Sequence, residues 1–332
     1  MASNERFVDK MQWIEYTLLI VAISLAGFLM PLLAYFSCVL LPIPALLIVI
    51  RYDLKYSLLG LACATLFILC VIGQSYEIVI ITMLQYGALG IVLGSLLKKM
   101  ESSDKILVFT LLAALGIAVV SAGASYLLNG INPVVLSPEE RQFLTEQWSA
   151  MNQQMYLFNG NGENNLTPDN ESESFRYLTE LYQYYLPGQM VVTAVATAAF
   201  TYIFAIFILG RYGFKAPLGP VFADICLPWY SIWGLIIGLG LFLLGEEFSE
   251  LTAKTGKNLL FVLANLYFIM GLSVFVHYYK KIQLHLLIKL LLLFAMFIFY
   301  PFSIMFLLSV GAIDPLVNFR RLPVQNNGAE SK

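Results

Sequence analysis

Few side chains in this sequence could do chemistry, and their spacing limits what that chemistry could be. There are two histidines, His277 and His285. Ser273 and His277 stand four residues apart, so on a helix they would share a face. A serine nucleophile would also need an oxyanion hole and a third group to orient the imidazole, and the sequence offers neither. The four cysteines, Cys38, Cys63, Cys70 and Cys226, lie in or beside apolar runs without CxxC spacing. They read as small apolar side chains, not as metal ligands or a redox pair. HExxH and GxxxxGK[ST] are absent, and no GxGxxG is followed by an acid at the ribose-binding distance. The expectation is a protein that is not an enzyme and needs no metal or cofactor.

What remains are polar groups inside apolar runs, where burial in lipid makes each one costly and therefore notable. Gln85 lies in the middle of such a run, with Thr82 before it and Tyr86 beside it. Asn265 lies in the middle of another, close to Tyr267. Amides in these places either hydrogen-bond across helices or line a solute cavity, and the sequence leaves both readings open. Glu77, at the end of its run, is either solvated at the interface or a gate. Lys289 either snorkels or meets an anion. Asp224, beside Trp229, Tyr230 and Trp233, is an interface anchor or a ligand contact, and Asp314 can cap a turn next to Pro315. Gln85, Tyr86, Asn265 and Trp229 form the candidate ligand set.

These residues need elements to position them, and composition says in which solvent. Of the 332 residues 59% are apolar and 12% are charged, and mean hydropathy is +0.78. A soluble domain carries about 25% charged residues. So few charges cannot cover this much apolar surface in water, so the solvent is lipid. That excludes a cytosolic enzyme, a nucleic-acid binder and a disordered scaffold. The net charge of −2 includes no basic patch suited to a phosphate backbone.

A spanning helix needs about 20 apolar residues at a rise of about 1.5 Å each. Runs of that kind occur at about 16–36, 56–73, 76–97, 105–128, 188–210, 227–245, 257–279 and 284–310. The run 38–50 contains Pro42 and Pro44 and is short unless it begins before Cys38; it reads as a broken helix or a re-entrant element surrounded by protein. The run 284–310 is long and reads as one span kinked at Pro301. The expected fold is an all-α polytopic transmembrane helical bundle of eight or nine membrane elements with a helical extracytoplasmic insertion.

Basic connectors occur at Arg51/Lys55, Lys98/Lys99/Lys105, Arg211/Lys215 and Lys280/Lys281, on alternate sides of the spans, which assigns them to the cytoplasm. The segment 129–187 carries eight acids and two bases and falls outside. Within it Ser137-Pro138-Glu139-Glu140 reads as a helix start, 159–173 as a polar loop, and 175–186 as a helix that Pro187-Gly188 ends. The expected division is an N-terminal bundle 1–128, the acidic segment 129–187, C-terminal membrane helices 188–319 and a disordered tail 320–332. Small residues four apart, at Ala22/Ala26, Gly60/Ala64, Gly90/Gly94, Ala114/Ala118/Ala122, Ala194/Ala198 and Gly234/Gly238, suit close helix packing. Ala22/Ala26 could instead dock a membrane partner.

Several stretches together resemble the YybS-like family of uncharacterised bacterial membrane proteins. They are Leu41-Pro42-Ile43-Pro44 with Arg51-Tyr52, Leu227-Pro228-Trp229, Gly271-Leu272-Ser273 with His277-Tyr278-Tyr279-Lys280, and Gly311, Asp314 and Phe319-Arg320. That family is distantly similar to the substrate-binding S components of energy-coupling-factor transporters. Those bind a small solute in a helical bundle and dock through an Ala-x-x-x-Ala face of the first helix onto a coupling protein with two ATPases. Ala22 to Ala26 fits that pattern, while the span count exceeds the usual six. The resemblance implies a bacterial inner (plasma) membrane and, besides the lipid bilayer, a coupling protein or a small-molecule solute as partner. The expected function is that of a solute-binding or transport-related component. The alternative is a non-transporting scaffold or assembly factor that binds a partner through its acidic outer segment.

Overall fold

Apolar runs become helices throughout the computed structural model, which describes residues 2–73, 76–99, 102–130, 135–136, 141–142, 145, 168–211, 222–283 and 285–321. Most of the acidic segment, including the helix start at Ser137 and the residues from 146 to 167, lies outside the described residues, as does the end of the tail from 322. Seven helices are long and apolar enough to cross a membrane, and three shorter apolar helices accompany them. The expected all-α, polytopic membrane fold is therefore present. The chain divides into two compact units, Met1–Gly219 and Pro220–Lys332.

The first unit holds α1 (Ala2–Leu29), α2 (Pro31–Leu40), α3 (Pro42–Arg51), α4 (Leu54–Ile72), α5 (Tyr76–Thr82), a π-helical turn (Met83–Gly87), α6 (Ala88–Lys99), α7 (Ser103–Asn129) and α8 (Pro168–Arg211). The unit ends after α8, because α8 packs on α2, α3 and α7. At its centre is α3: every residue from Leu41 to Val49 is buried. A helix that is apolar on all sides belongs inside a bundle, and α3 meets α1, α4, α6 and α8.

The run around Pro42 and Pro44 takes the broken-helix form and is long and apolar enough to cross a membrane. Leu41 keeps right-handed helical dihedrals between α2 and α3, and the apolar segment reaches back to Leu33, giving 19 residues. Proline removes backbone donors here. Thr201 on α8 adds a hydrogen bond beside the break, its hydroxyl donating to the Val39 carbonyl at 3.2 Å.

One end of this unit gathers polar and basic groups. The Arg51 guanidinium lies 5.6 Å from the Tyr16 ring centre, Lys98 pairs with Asp53 at 3.0 Å, and the Ser103 and Tyr202 hydroxyls are 2.9 Å apart. Among the described residues the chain makes six helical passes in this unit: α1, α2–α3, α4, α5–α6, α7 and α8. The start of α1 and the end of α8 both lie toward the basic end. Pro187 does not end a helix, since α8 runs through it for 44 residues, about 66 Å at helical rise. That is about twice the hydrocarbon thickness, so the start of α8, with residues 168–173 of the expected loop, extends beyond the bundle's other end.

Gly90 of α6 sits on the backbone of Pro42, where a Cβ would come within 2.2 Å of the Pro42 carbonyl oxygen. Gly90→Val is expected to part α6 from α3 and to lower the melting temperature of the full chain. Melting in lipid nanodiscs reads this. A cavity-neutral result, with wild-type melting, would contradict the contact.

The second unit holds α9 (Ile232–Phe248), α10 (Glu250–Lys281), α11 (Leu286–Ile298) and α12 (Tyr300–Val317), preceded by short 3-10 turns at Phe222–Asp224 and Trp229–Ser231. The α9–α10 hairpin turns at Ser249, whose hydroxyl accepts the Thr252 N–H at 3.2 Å. The run 284–310 is not one kinked span. It breaks at Phe299 (ψ 39°), and Pro301 falls in the first turn of α12, where a missing N–H does no harm. Tyr278, near the end of α10, donates to the Phe319 carbonyl at 2.7 Å. Both ends of the α11–α12 pair therefore return to the Lys280 end of α10. This hairpin-like course collects Lys280, Lys281, Arg320 and Arg321 at one end, in keeping with the positive-inside rule that a single span would have broken.

Candidate functional site

At the end of the first unit away from Arg51 and Lys98, α2, α5, α7 and α8 leave a cleft of about 370 Å3. Sites for small molecules have volumes of roughly 300–1,000 Å3. Its polar lining is Gln85 from the π-helical turn, Ser121 and Ser125 from α7, and Gln189 and Thr193 from α8, with Tyr35 and Tyr182 also on its wall. Between them lie small or apolar side chains, among them Ala118, Ala122 and Met190.

The π-turn is what brings Gln85 into the cleft. Met83–Gly87 adds one residue to the helical repeat, which rotates the following side chains and frees a backbone register, and such bulges occur frequently at functional sites. Gly87 and Met83 are buried on the side facing the bundle, so Gln85 is directed toward α7 and α8. Tyr86 faces another neighbour: its hydroxyl is within hydrogen-bonding reach of the Cys38 thiol. It also borders a void of about 10 Å3 together with Gln85, Ala114 and Thr197, too small for a solute.

Ser121 is 4% exposed, and its Oγ has no hydrogen-bond partner among the described residues. A buried hydroxyl without a partner is costly and calls for explanation. Its neighbours offer one, since it stands in the wall of the cleft with the amides of Gln85 and Gln189.

Of the candidate ligand set, the structure thus brings Gln85 to the cleft and leaves Tyr86 outside its lining, beside the small void. Asn265 and Trp229 belong to the second unit. The Asn265 amide donates to the Phe261 carbonyl, one turn back, at 2.8 Å. Trp229 is 63% exposed and meets Tyr230 edge to face. Ala22 is exposed and Ala26 half-buried on α1. Ser121, Ser125, Gln189 and Thr193 escaped the sequence reading. A signal existed: polar residues repeat four apart on each of two spans, beside the small residues of Ala114/Ala118/Ala122 and Ala194/Ala198.

The second unit has a polar cluster of another kind. Ser273 and His277 both turn to the segment 222–225, but no hydrogen bond joins them. The Ser273 hydroxyl donates to the Phe222 carbonyl at 2.6 Å and accepts from Arg320 Nη1 at 2.7 Å. His277 Nδ1 lies 3.7 Å from Asp224 Oδ1. Arg320 and Asp314 form an ion pair at 2.7 Å with side chains 0% and 4% exposed. Arg320 also donates to the carbonyls of Ala223 and Ile225, each at 2.8 Å, while Asp314 accepts the Phe319 N–H at 3.1 Å. Asp314 thus does cap a turn, the one that leaves α12 through left-handed Asn318. Arg320, assigned by sequence to a free tail, is buried. Lys289 lies 5.1 Å from the Tyr279 ring centre, near the basic end where snorkelling would put it.

Among the described residues no group of three or more His, Cys, Asp or Glu side chains could hold a metal. The arrangement defines a multi-pass helical membrane protein with a polar, uncharged cleft in its first unit. The chain belongs to the family described as Predicted membrane protein (DUF2232), whose profile matches residues 18–315. No curated protein and no solved structure matches it.

Proposed function

We propose that the first unit binds a small solute, as a transport-related component similar to the S components of energy-coupling-factor transporters, in a bacterial inner membrane. The observation that carries this reading is the cleft with Gln85 on a π-turn and, in its wall, a Ser121 hydroxyl that has no partner among the described residues. Two further features support it. Among its described residues the first unit makes six helical passes, the number usual in the S components it resembles, and α9 to α12 belong to the second unit. Ala22, the first residue of the Ala-x-x-x-Ala pattern, is exposed on α1, where a coupling protein could dock.

Native mass spectrometry of the full chain in lipid nanodiscs tests the binding reading. The wild type is expected to retain a small molecule, and Gln85→Leu to lower its occupancy about tenfold, the effect of one hydrogen bond in a desolvated site. A wild type that carries nothing but lipid would remove the proposal. For the partner, Ala22→Trp is expected to abolish co-purification with an ATPase coupling module while leaving that retained mass in place.

A further inference from the structure

The cleft has a chemistry that narrows its occupant beyond "small solute". Its described polar lining consists of two carboxamides, three hydroxyls and two phenols, and none of the described residues around it carries a charge. A carboxamide offers both donors and an acceptor, and a hydroxyl offers either. This surface can pair with a molecule that itself presents both donors and acceptors. It has nothing to compensate a formal charge, which at membrane depth demands a counter-charge or water. Tyr35 and Tyr182 add flat apolar faces beside Ile81, Leu186 and Met190, suited to a ring or other apolar body.

We infer that the cleft selects an uncharged, hydrogen-bonding molecule with an apolar body and rejects anions and cations, with Gln85, Ser125 and Gln189 as the groups that meet its polar edge. The inference rests on the solute-binding reading above and adds the class of solute. Ser121, more than nine-tenths buried and with no hydrogen-bond partner among the described residues, adds a hydroxyl to the same wall.

The test does not need the ligand. In the full chain with all four cysteines replaced by alanine, Ser125→Cys, a half-buried position of the lining, is treated with three methanethiosulfonates of comparable size. The 3,3-dimethylbutyl reagent is neutral and matches the shape of the cationic trimethylammonioethyl reagent, and the sulfonatoethyl reagent is anionic. Rates are referred to Glu180→Cys on α8, whose native side chain is 69% exposed. The neutral reagent is expected to reach Ser125→Cys within about tenfold of the control rate. Relative to their own control rates, both charged reagents are expected to be slower by a further factor of about 100, the factor set by the lower range of the cost of a charge at membrane depth. Adding Gln85→Glu should then speed the cationic reagent at least tenfold while slowing the anionic one.

If a charged reagent reacts at Ser125→Cys as readily as the neutral one, the inference falls and the solute-binding reading stands, with a charged solute. If no reagent enters, in a protein that melts like the wild type, the cleft is closed and both fall. Should Ser125→Cys fail to fold, Gln189→Cys, on α8 in the same lining, reports with the same results for and against.

Discussion

Arg320→Ala is expected to destabilise the second unit by about 3–5 kcal/mol, the range for removing one partner of a buried ion pair. The pair with Asp314 is nearly inaccessible, at 0% and 4% exposure. The substitution would leave Asp314 charged and buried, and would strip donors from the carbonyls of Ala223 and Ile225 and from Ser273 Oγ. These partners come from the first 3-10 turn of the unit, from α10 and from the end of α12, so one side chain ties the beginning of the unit to its end. Arg320→Lys should rescue little, because a single ammonium cannot present a planar fork to acceptors on three elements. The double variant Asp314→Leu/Arg320→Met should recover much of the loss, since it removes both charges instead of orphaning one. Melting of the full chain in nanodiscs and its abundance in the membrane would register these differences. Wild-type melting of Arg320→Ala, or a double variant worse than the single, would contradict the account.

That cluster marks how far sequence could be read. Composition and run length reported the solvent faithfully, because hydropathy measures transfer to lipid and needs no knowledge of neighbours. The helical course and the broken helix at Pro42 were legible for that reason. Arg320 was not, since a cation after an apolar run looks like a tail until its partner Asp314 and the carbonyls of residues 223 and 225 are seen to converge on it. Pro187 misled in the other direction. Proline weakens a helix locally, but in α8 the helix continues through it, on a face shared with α7 and α2. Gln85 stood out because a polar residue in lipid is conspicuous. Ser121 did not, because a serine beside alanines is indistinguishable from helix packing until its hydroxyl is seen to lack a partner among the described residues.

The closest approach in the second unit rests on two glycines that no single-helix spacing reveals. Gly271 is on α10 and Gly311 on α12. A Cβ at Gly271 would lie within 1.9 Å of the Leu307 carbonyl oxygen, and one at Gly311 within 1.9 Å of the Tyr267 carbonyl oxygen and 2.6 Å of the Gly271 nitrogen. The obstructing atoms are helix backbone on both sides, so no side-chain rotation can make room. Gly311→Val must therefore push the helices apart, and separation lengthens the Tyr278–Phe319 and Ser273–Arg320 hydrogen bonds as well. Overpacking of a close interface costs about 1–3 kcal/mol and occasionally more, and the coupled loss of the buried pair puts this variant at the upper end. Gly240→Ala is the control: nothing lies within 4 Å of a Cβ there, so it should leave melting unchanged or raise it slightly through helix propensity. A Gly311→Val protein that melts with the wild type, while Gly240→Ala also stays silent, would show that α10 and α12 do not touch through their backbones.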